Sequence, residues 1–174
     1  GETWGNATSW TLGSEWDAGT NYLFSNAVIG FWRDEPFIDI DHNVSTDSGV
    51  IDPLLPSQLN ERLLDMQERY APEALAAMMN LLDSDKTNRA LFMLDHNTDL
   101  NNSSIYWNPS YNWNDALTRL RGATLLQMTL PGAPTIYYGD EVGLVGPVSF
   151  DAGTWQDDPY NRQPYPWLDQ SGTP

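Results

Sequence analysis

The stretch from Met79 to Arg89, Met-Asn-Leu-Leu-Asp-Ser-Asp-Lys-Thr-Asn-Arg, constrains this chain more than any other. Met79, Leu81 and Leu82 predict a buried strand, and the polar run Asp83, Ser84, Asp85, Lys86, Thr87, Asn88, Arg89 begins where it ends. An apolar strand that passes at once into charges is the pattern of a parallel barrel mouth, where strand C-termini deliver side chains to a site.

The neighbouring sequence fits alternating strands and helices. Residues 1–10 are polar and aromatic without helix period and suggest a strand exit. A short strand is expected near Asp17 to Tyr22, then a helix over Asn26 to Trp32 capped by Ser25. Residues 35–56, rich in Pro, Asp and Ser, form a long excursion. Beyond it Leu59, Leu63, Met66 and Tyr70 make one apolar stripe of a helix entered at Ser57. Pro72 suits the first turn of a short helix, Glu73 to Met78. Leu91, Phe92 and Leu94 continue as a helical turn after the central motif. Residues 95–112 are a second polar excursion. A helix capped by Asn112 or Asn114 then runs to about Thr129, with Leu117, Leu120, Thr124 and Met128 on its apolar face beside Ala116 and Ala123. Ala133 to Tyr138 reads as a strand, and the tail from Gly146 has no clear helix. Such alternation implies parallel pairing through helical crossovers. Half of a β/α barrel is the first reading. An open doubly wound sheet is the alternative, without a Gly-rich phosphate loop to favour it.

Composition narrows the partners. Eight Lys plus Arg against 24 Asp plus Glu give a formal net charge of -16, which argues against nucleic acid and anionic membrane surfaces. No apolar run approaches the roughly 20 residues of a membrane helix. No cysteine is present, so no disulfide or thiolate metal site is expected. His42 and His96 stand alone in loops, and Asp39, Asp41, Asn43, Asp47 and Asp52 match no EF-hand spacing; no metal site is indicated. Eight Trp and eight Tyr against five Phe favour rings with polar handles, which serve cores and also stack on sugars.

Several stretches, in order, resemble the α-amylase family of glycoside hydrolases. Met79 to Arg89 resembles its strand-seven motif, Leu-Leu-(Gly/Asp)-Ser-His-Asp-Thr-x-Arg. Gly1-Glu2-Thr3-Trp4 resembles the strand-five motif, and Gly13 to Phe24 the Asp-x-x-x-Asn-Tyr-x-Phe stretch that follows it. Pro131 to Glu141 resembles strand eight. Asp157 to Trp167 resembles the post-barrel Asp-Pro-x-x-Arg-x-Pro-x-Pro-Trp of the neopullulanase and amylopullulanase-like branch. The resemblance implies an α/β fold: a partial (β/α)8 TIM barrel, strands five to eight with their helices. Residues 1–145 would be the C-terminal half of the catalytic barrel, and 146–174 the loop region after strand eight.

The implied activity is retaining hydrolysis of α-1,4 bonds, with α-1,6 as a second linkage, in starch-like α-glucans. Retention needs two carboxyl groups about 5–5.5 Å apart, a nucleophile and an acid/base. The resemblance makes Glu2 the acid/base; the nucleophile, an Asp on the family's fourth strand, is expected upstream of residue 1, so these residues alone are expected to be inactive. It also implies Asn21, Tyr22, Asp158 and Arg162 along the sugar groove. Arg89 is carried over as a groove residue and, on its charge, as a structural partner for carboxylates; Glu141 shares that structural duty. No cofactor is implied, although the resemblance leaves room for calcium in a full-length parent.

At strand seven the chain departs from the pattern. Asp85 stands where the family has His, and Lys86, the only Lys in the chain, where it has its third catalytic carboxylate. That carboxylate faces a developing positive charge. Opposite unit charges at about 4 Å gain roughly 4 kcal/mol at an effective dielectric of 20, and a cation turns the gain into a cost. The departure raises a second reading, a catalytically impaired relative that serves as a carbohydrate- or protein-binding scaffold.

Overall fold

In the computed structural model, which describes residues 18–38, 50–95, 103–146, 149–151 and 154–167, Asn21 decides where the first helix begins. Its Oδ1 accepts from the Phe24 amide at 3.1 Å, so α1 spans Tyr22–Phe31, starting four residues before the expected Asn26. Ser25, the expected cap, lies inside α1 and donates its hydroxyl to the Leu82 carbonyl at 2.6 Å. An amide side chain at a helix entry satisfies an otherwise orphaned N–H, and that local choice overrides the weaker hydroxyl cap.

The early strand is reduced to one parallel bridge, Thr20 with Met79. Asn21 donates to the Met79 carbonyl at 2.9 Å, and Met79 to the Gly19 carbonyl at 3.0 Å. On the other side of β3 (Met79–Asn80) lies β4 (Ala133–Pro134), paired in parallel as Met79 with Ala133 and Asn80 with Pro134. Three consecutive chain passes therefore lie side by side and parallel, in sequence order. Parallel neighbours need crossovers of a dozen or more residues, and helices supply them. Between Thr20 and β3 run α1, α2 (Pro56–Arg69) and α3 (Pro72–Ala77); between β3 and β4 run α4 (Ala90–Met93) and α5 (Asn114–Thr129).

Sequence periodicity located α2 well. Leu59, Met66 and Tyr70 are buried, and Pro56 opens the helix, where its missing N–H costs nothing. The face of α5 differs from expectation at one end: Met128 is exposed and Gln127 is buried. Gln127 turns inward because its amide donates to the carbonyls of Asn80 (3.0 Å) and Thr135 (2.9 Å), closing the edge of the short ladder. Close approach is also required at Gly122, where any Cβ would overlap the Trp32 indole.

Two antiparallel pairs were not foreseen: β1 (Phe37–Ile38) with β2 (Val50–Ile51), and β5 (Ser149–Asp151) with β6 (Thr154–Gln156). The core lies between β3 and its helices and contains Phe24, Val28, Met78, Leu82, Phe92 and Leu120. The ladder of β4 ends at Pro134 rather than Tyr138, because its partner β3 gives way at Leu81 to the polar turn that carries the candidate site.

Candidate active site at the strand ends

Side chains of the turn after β3 close it on itself. The Ser84 amide donates to Thr87 Oγ1 at 2.9 Å, and the Lys86 amide donates to Ser84 Oγ at 3.0 Å. Tyr22, the first residue of α1, places its hydroxyl 2.9 Å from the same Ser84 Oγ. Asp83 Oδ2 accepts from the Ala90 amide at 2.8 Å, which starts α4 and fixes the far end of the turn. Short polar residues after an apolar strand thus hold residues 83–89 in one shape.

A strap from the tail fastens onto this turn. Asn161 Nδ2 donates to the Thr87 carbonyl at 2.9 Å from a buried position. Arg162 lies 3.1 Å from Asp158 Oδ1 through Nε and 3.8 Å from Asp85 Oδ2 through Nη2. Tyr138, beyond β4, donates its hydroxyl to the Gln163 carbonyl at 2.7 Å. Gly146 permits the tail's approach: its φ is +71°, and a Cβ there would run into the Tyr160 carbonyl.

The structure therefore brings Tyr22, Asp85, Lys86, Asp158 and Arg162 to one turn. Asp85, Asp158 and Arg162 are each about half exposed, so their charges face water. Lys86 is half-buried in the same turn. Three residues expected along the sugar groove are instead enclosed by the scaffold, Tyr22 among them, 3 % exposed with its hydroxyl held at Ser84. Asn21 is 1 % exposed, and its Nδ2 donates to Asn80 Oδ1 at 2.9 Å while its Oδ1 caps α1. Arg89 is buried beneath the turn, which leaves it the structural duty. Glu2 lies outside the described residues, as do His42 and His96.

Beneath the turn is a group that sequence reasoning passed over. Arg89 Nη1 donates to the Tyr138 carbonyl at 2.7 Å and lies 3.9 Å from Asp140 Oδ1. Its guanidinium carbon sits 4.2 Å from the Tyr137 ring centre and 4.7 Å from that of Tyr138. Arg89 was expected to partner carboxylates at the barrel mouth, and Asp140 is the one that reaches it. Glu141 is exposed and accepts from the Gly139 amide at 2.8 Å. Asp83 and Asp140 are close enough for each to shift the other's titration. Burial raises both above the ordinary carboxylate value of 3.8, Asp140 the more strongly, with the Asp83 charge adding to the push and Arg89 opposing it. Two carboxyls in one dry pocket cannot both ionise, so the pair keeps a proton at neutral pH. The signal for it was an Asp at a strand end, followed six residues on by an Arg.

No family model matches the chain. It is 36 % identical over 168 residues to an amylopullulanase of Thermoanaerobacter thermohydrosulfuricus, covering 95 % of this chain and 10 % of that protein. Neopullulanase 2 of Thermoactinomyces vulgaris is 31 % identical over 165 residues, 93 % of this chain and 22 % of that one. The native debranching enzyme of Nostoc punctiforme superposes with a TM-score of 0.60 at 25 % identity, over 100 % of this chain and 28 % of its own. The chain thus spans well under a third of each relative's length.

Proposed function

The chain is a neopullulanase-like relative of the α-amylase family over the residues that align, and from that premise we propose that it is the part of a (β/α)8 catalytic barrel that carries strands five to eight. Residues 1–145 form that half, and 146–174 the loop region that returns over it. The protein that contains it hydrolyses α-glucans of the starch and pullulan kind with retention. The parallel side-by-side order of Thr20, β3 and β4, with Tyr22, Asp85, Lys86, Asp158 and Arg162 gathered at the ends, carries this reading.

In this mechanism Glu2 protonates the leaving oxygen and then activates water, while a carboxylate from a fourth strand attacks the sugar carbon. We place turnover in the whole barrel, to which this segment contributes the acid/base. Arg89 and the Asp83–Asp140 pair keep the turn and the end of β4 in register; they do not touch the sugar. Lys86 opposes the positive charge that builds on the ring, so the rate is low for the family. The test is hydrolysis of starch and pullulan by a protein that carries this segment within a whole barrel, with the product anomer followed by NMR. Retention gives the α-anomer first; a β-anomer first, or turnover unchanged by Glu2→Gln, overturns the reading.

A second reading has one observation in its favour. Asp85 is tied to Arg162 rather than left open toward a substrate, as suits a scaffold that binds glucan or a protein without cleaving it. Binding of maltooligosaccharide with no hydrolysis in the whole-barrel protein would select it.

A further inference from the structure

Trp107 is 55 % exposed, yet the segment around it is held firmly. It ends a 3₁₀ turn, Ser103–Trp107. Tyr106 beside it is buried and packs edge-on against Phe92 (5.2 Å) and Tyr111 (5.0 Å). Tyr111 in turn packs on Trp113 at 4.6 Å and donates its hydroxyl to Asp95 Oδ2 at 2.6 Å. The backbone closes after Trp107 as well, Asn108 donating to the Ile105 carbonyl at 3.1 Å and Tyr111 to the Asn108 carbonyl at 2.9 Å. A large ring displayed on an anchored turn loses little freedom when a ligand covers it.

What lies next to Trp107 indicates the ligand. Tyr160 stands perpendicular to it, ring centres 6.4 Å apart. Tyr160 opens the turn Tyr160–Arg162, whose Arg162 holds Asp158 and Asp85. The aromatic plate thus touches the turn whose guanidinium holds two carboxylates of the candidate site. A pyranose has one C–H face for a ring and an equatorial edge of hydroxyls for charged groups, which this pairing suits. An anionic ligand such as a nucleotide would meet a chain of net charge -16.

We propose that Trp107, with Tyr160 beside it, is a sugar-stacking platform that holds an α-glucan residue outside the cleavage position and extends the groove past the Asp85–Arg162 pair. This rests on the α-glucan reading and deepens it: it makes affinity depend on chain length through a loop that sequence reasoning left as a polar excursion.

The experiment is titration of the full chain with maltohexaose, by calorimetry and by 19F NMR of protein labelled with 5-fluorotryptophan. The Trp107 resonance is the one missing from Trp107→Phe. The expected result is that this resonance shifts on binding, that Trp107→Ala weakens affinity at least tenfold, and that Trp107→Phe, which keeps a ring, recovers most of it. Trp107→Ala is checked by its thermal midpoint, which is expected to stay within a few degrees because the side chain is exposed. Unchanged affinity in Trp107→Ala with a static Trp107 resonance overturns the platform and leaves the α-glucan reading standing. Equal binding of cellohexaose overturns the assigned ligand class. No binding of maltohexaose overturns the platform together with glucan binding by this segment.

Discussion

Arg162 reaches back 77 residues to Asp85, its Nη2 3.5 Å from the Asp85 carbonyl and 3.8 Å from the carboxylate. The contact joins the tail to the residue that stands where the related motif has His. Both side chains are about half exposed, so solvent screens the pair and its worth is roughly 0.2–1 kcal/mol. A double-mutant cycle with Asp85→Ala and Arg162→Ala should give a coupling in that range, shrinking in high salt. A coupling of several kcal/mol would mean that the strap is held by charge rather than by Asn161.

Buried charge sets a larger effect one layer below. Arg89 is enclosed between two tyrosine rings, the Tyr138 carbonyl and Asp140. Arg89→Met removes the cation that faces the Asp83–Asp140 pair, and breaking a buried pair costs about 3–5 kcal/mol. Urea unfolding at neutral pH measures it. Arg89→Lys should recover little, since an ammonium cannot lie flat between rings and also donate to a carbonyl as the guanidinium does.

Stability should fall as pH rises. Asp83 and Asp140 bind their protons more tightly folded than unfolded, so above the ordinary value of 3.8 the native state holds the extra proton. Their contribution is complete below that value and is lost as pH climbs through the raised folded values. Asp140→Asn, which keeps a neutral hydrogen-bonding group, should flatten the fall between about pH 5 and 8 and match or exceed the parent's stability at the upper end. Thermal melts of both proteins across that range decide it; equal slopes would show that the pair does not carry the proton.

The inward turn of Gln127 gives a fourth expectation. Gln127→Leu takes one donor from the buried Asn80 carbonyl, which keeps the Thr135 amide, and one from the half-buried Thr135 carbonyl. The expected loss is about 1–3 kcal/mol. Met128→Ala, at an exposed neighbour, should stay within about 0.5 kcal/mol. Denaturant midpoints of the two variants separate the two faces.

Gln127 also marks where sequence reasoning stopped. Periodicity located α2 and α5 because an apolar stripe needs a helix. It put Met128 inside and missed Gln127, since a buried amide is chosen by the carbonyls of Asn80 and Thr135, which only the fold brings beside it. The helix after the motif was legible from Leu91, Phe92 and Leu94. The start of α1 was not, because Asn21 and Ser25 are both good caps and only the neighbouring chain selects between them. Asp85, Lys86, Asp158 and Arg162 were singled out by the resemblance to the family's motifs, and the structure sets them at one turn. The pairing of Asp83 with Asp140 went unnoticed: a sequence presents carboxylates as solvated charges, and only packing puts two of them under one Arg.

Residues 85 and 86 must occupy the strand-seven position of an α-glucan site for the proposed function to hold. The most direct measurement is the starch hydrolysis rate of a whole-barrel protein carrying this segment, before and after the joint exchange Asp85→His and Lys86→Asp. An interaction of this kind in a transition state is worth about 10²–10³ in rate. A gain of at least about 100-fold is expected, with the first-formed anomer still α. A rate unchanged by the exchange, in a protein that is folded and binds maltohexaose, would contradict the proposed function.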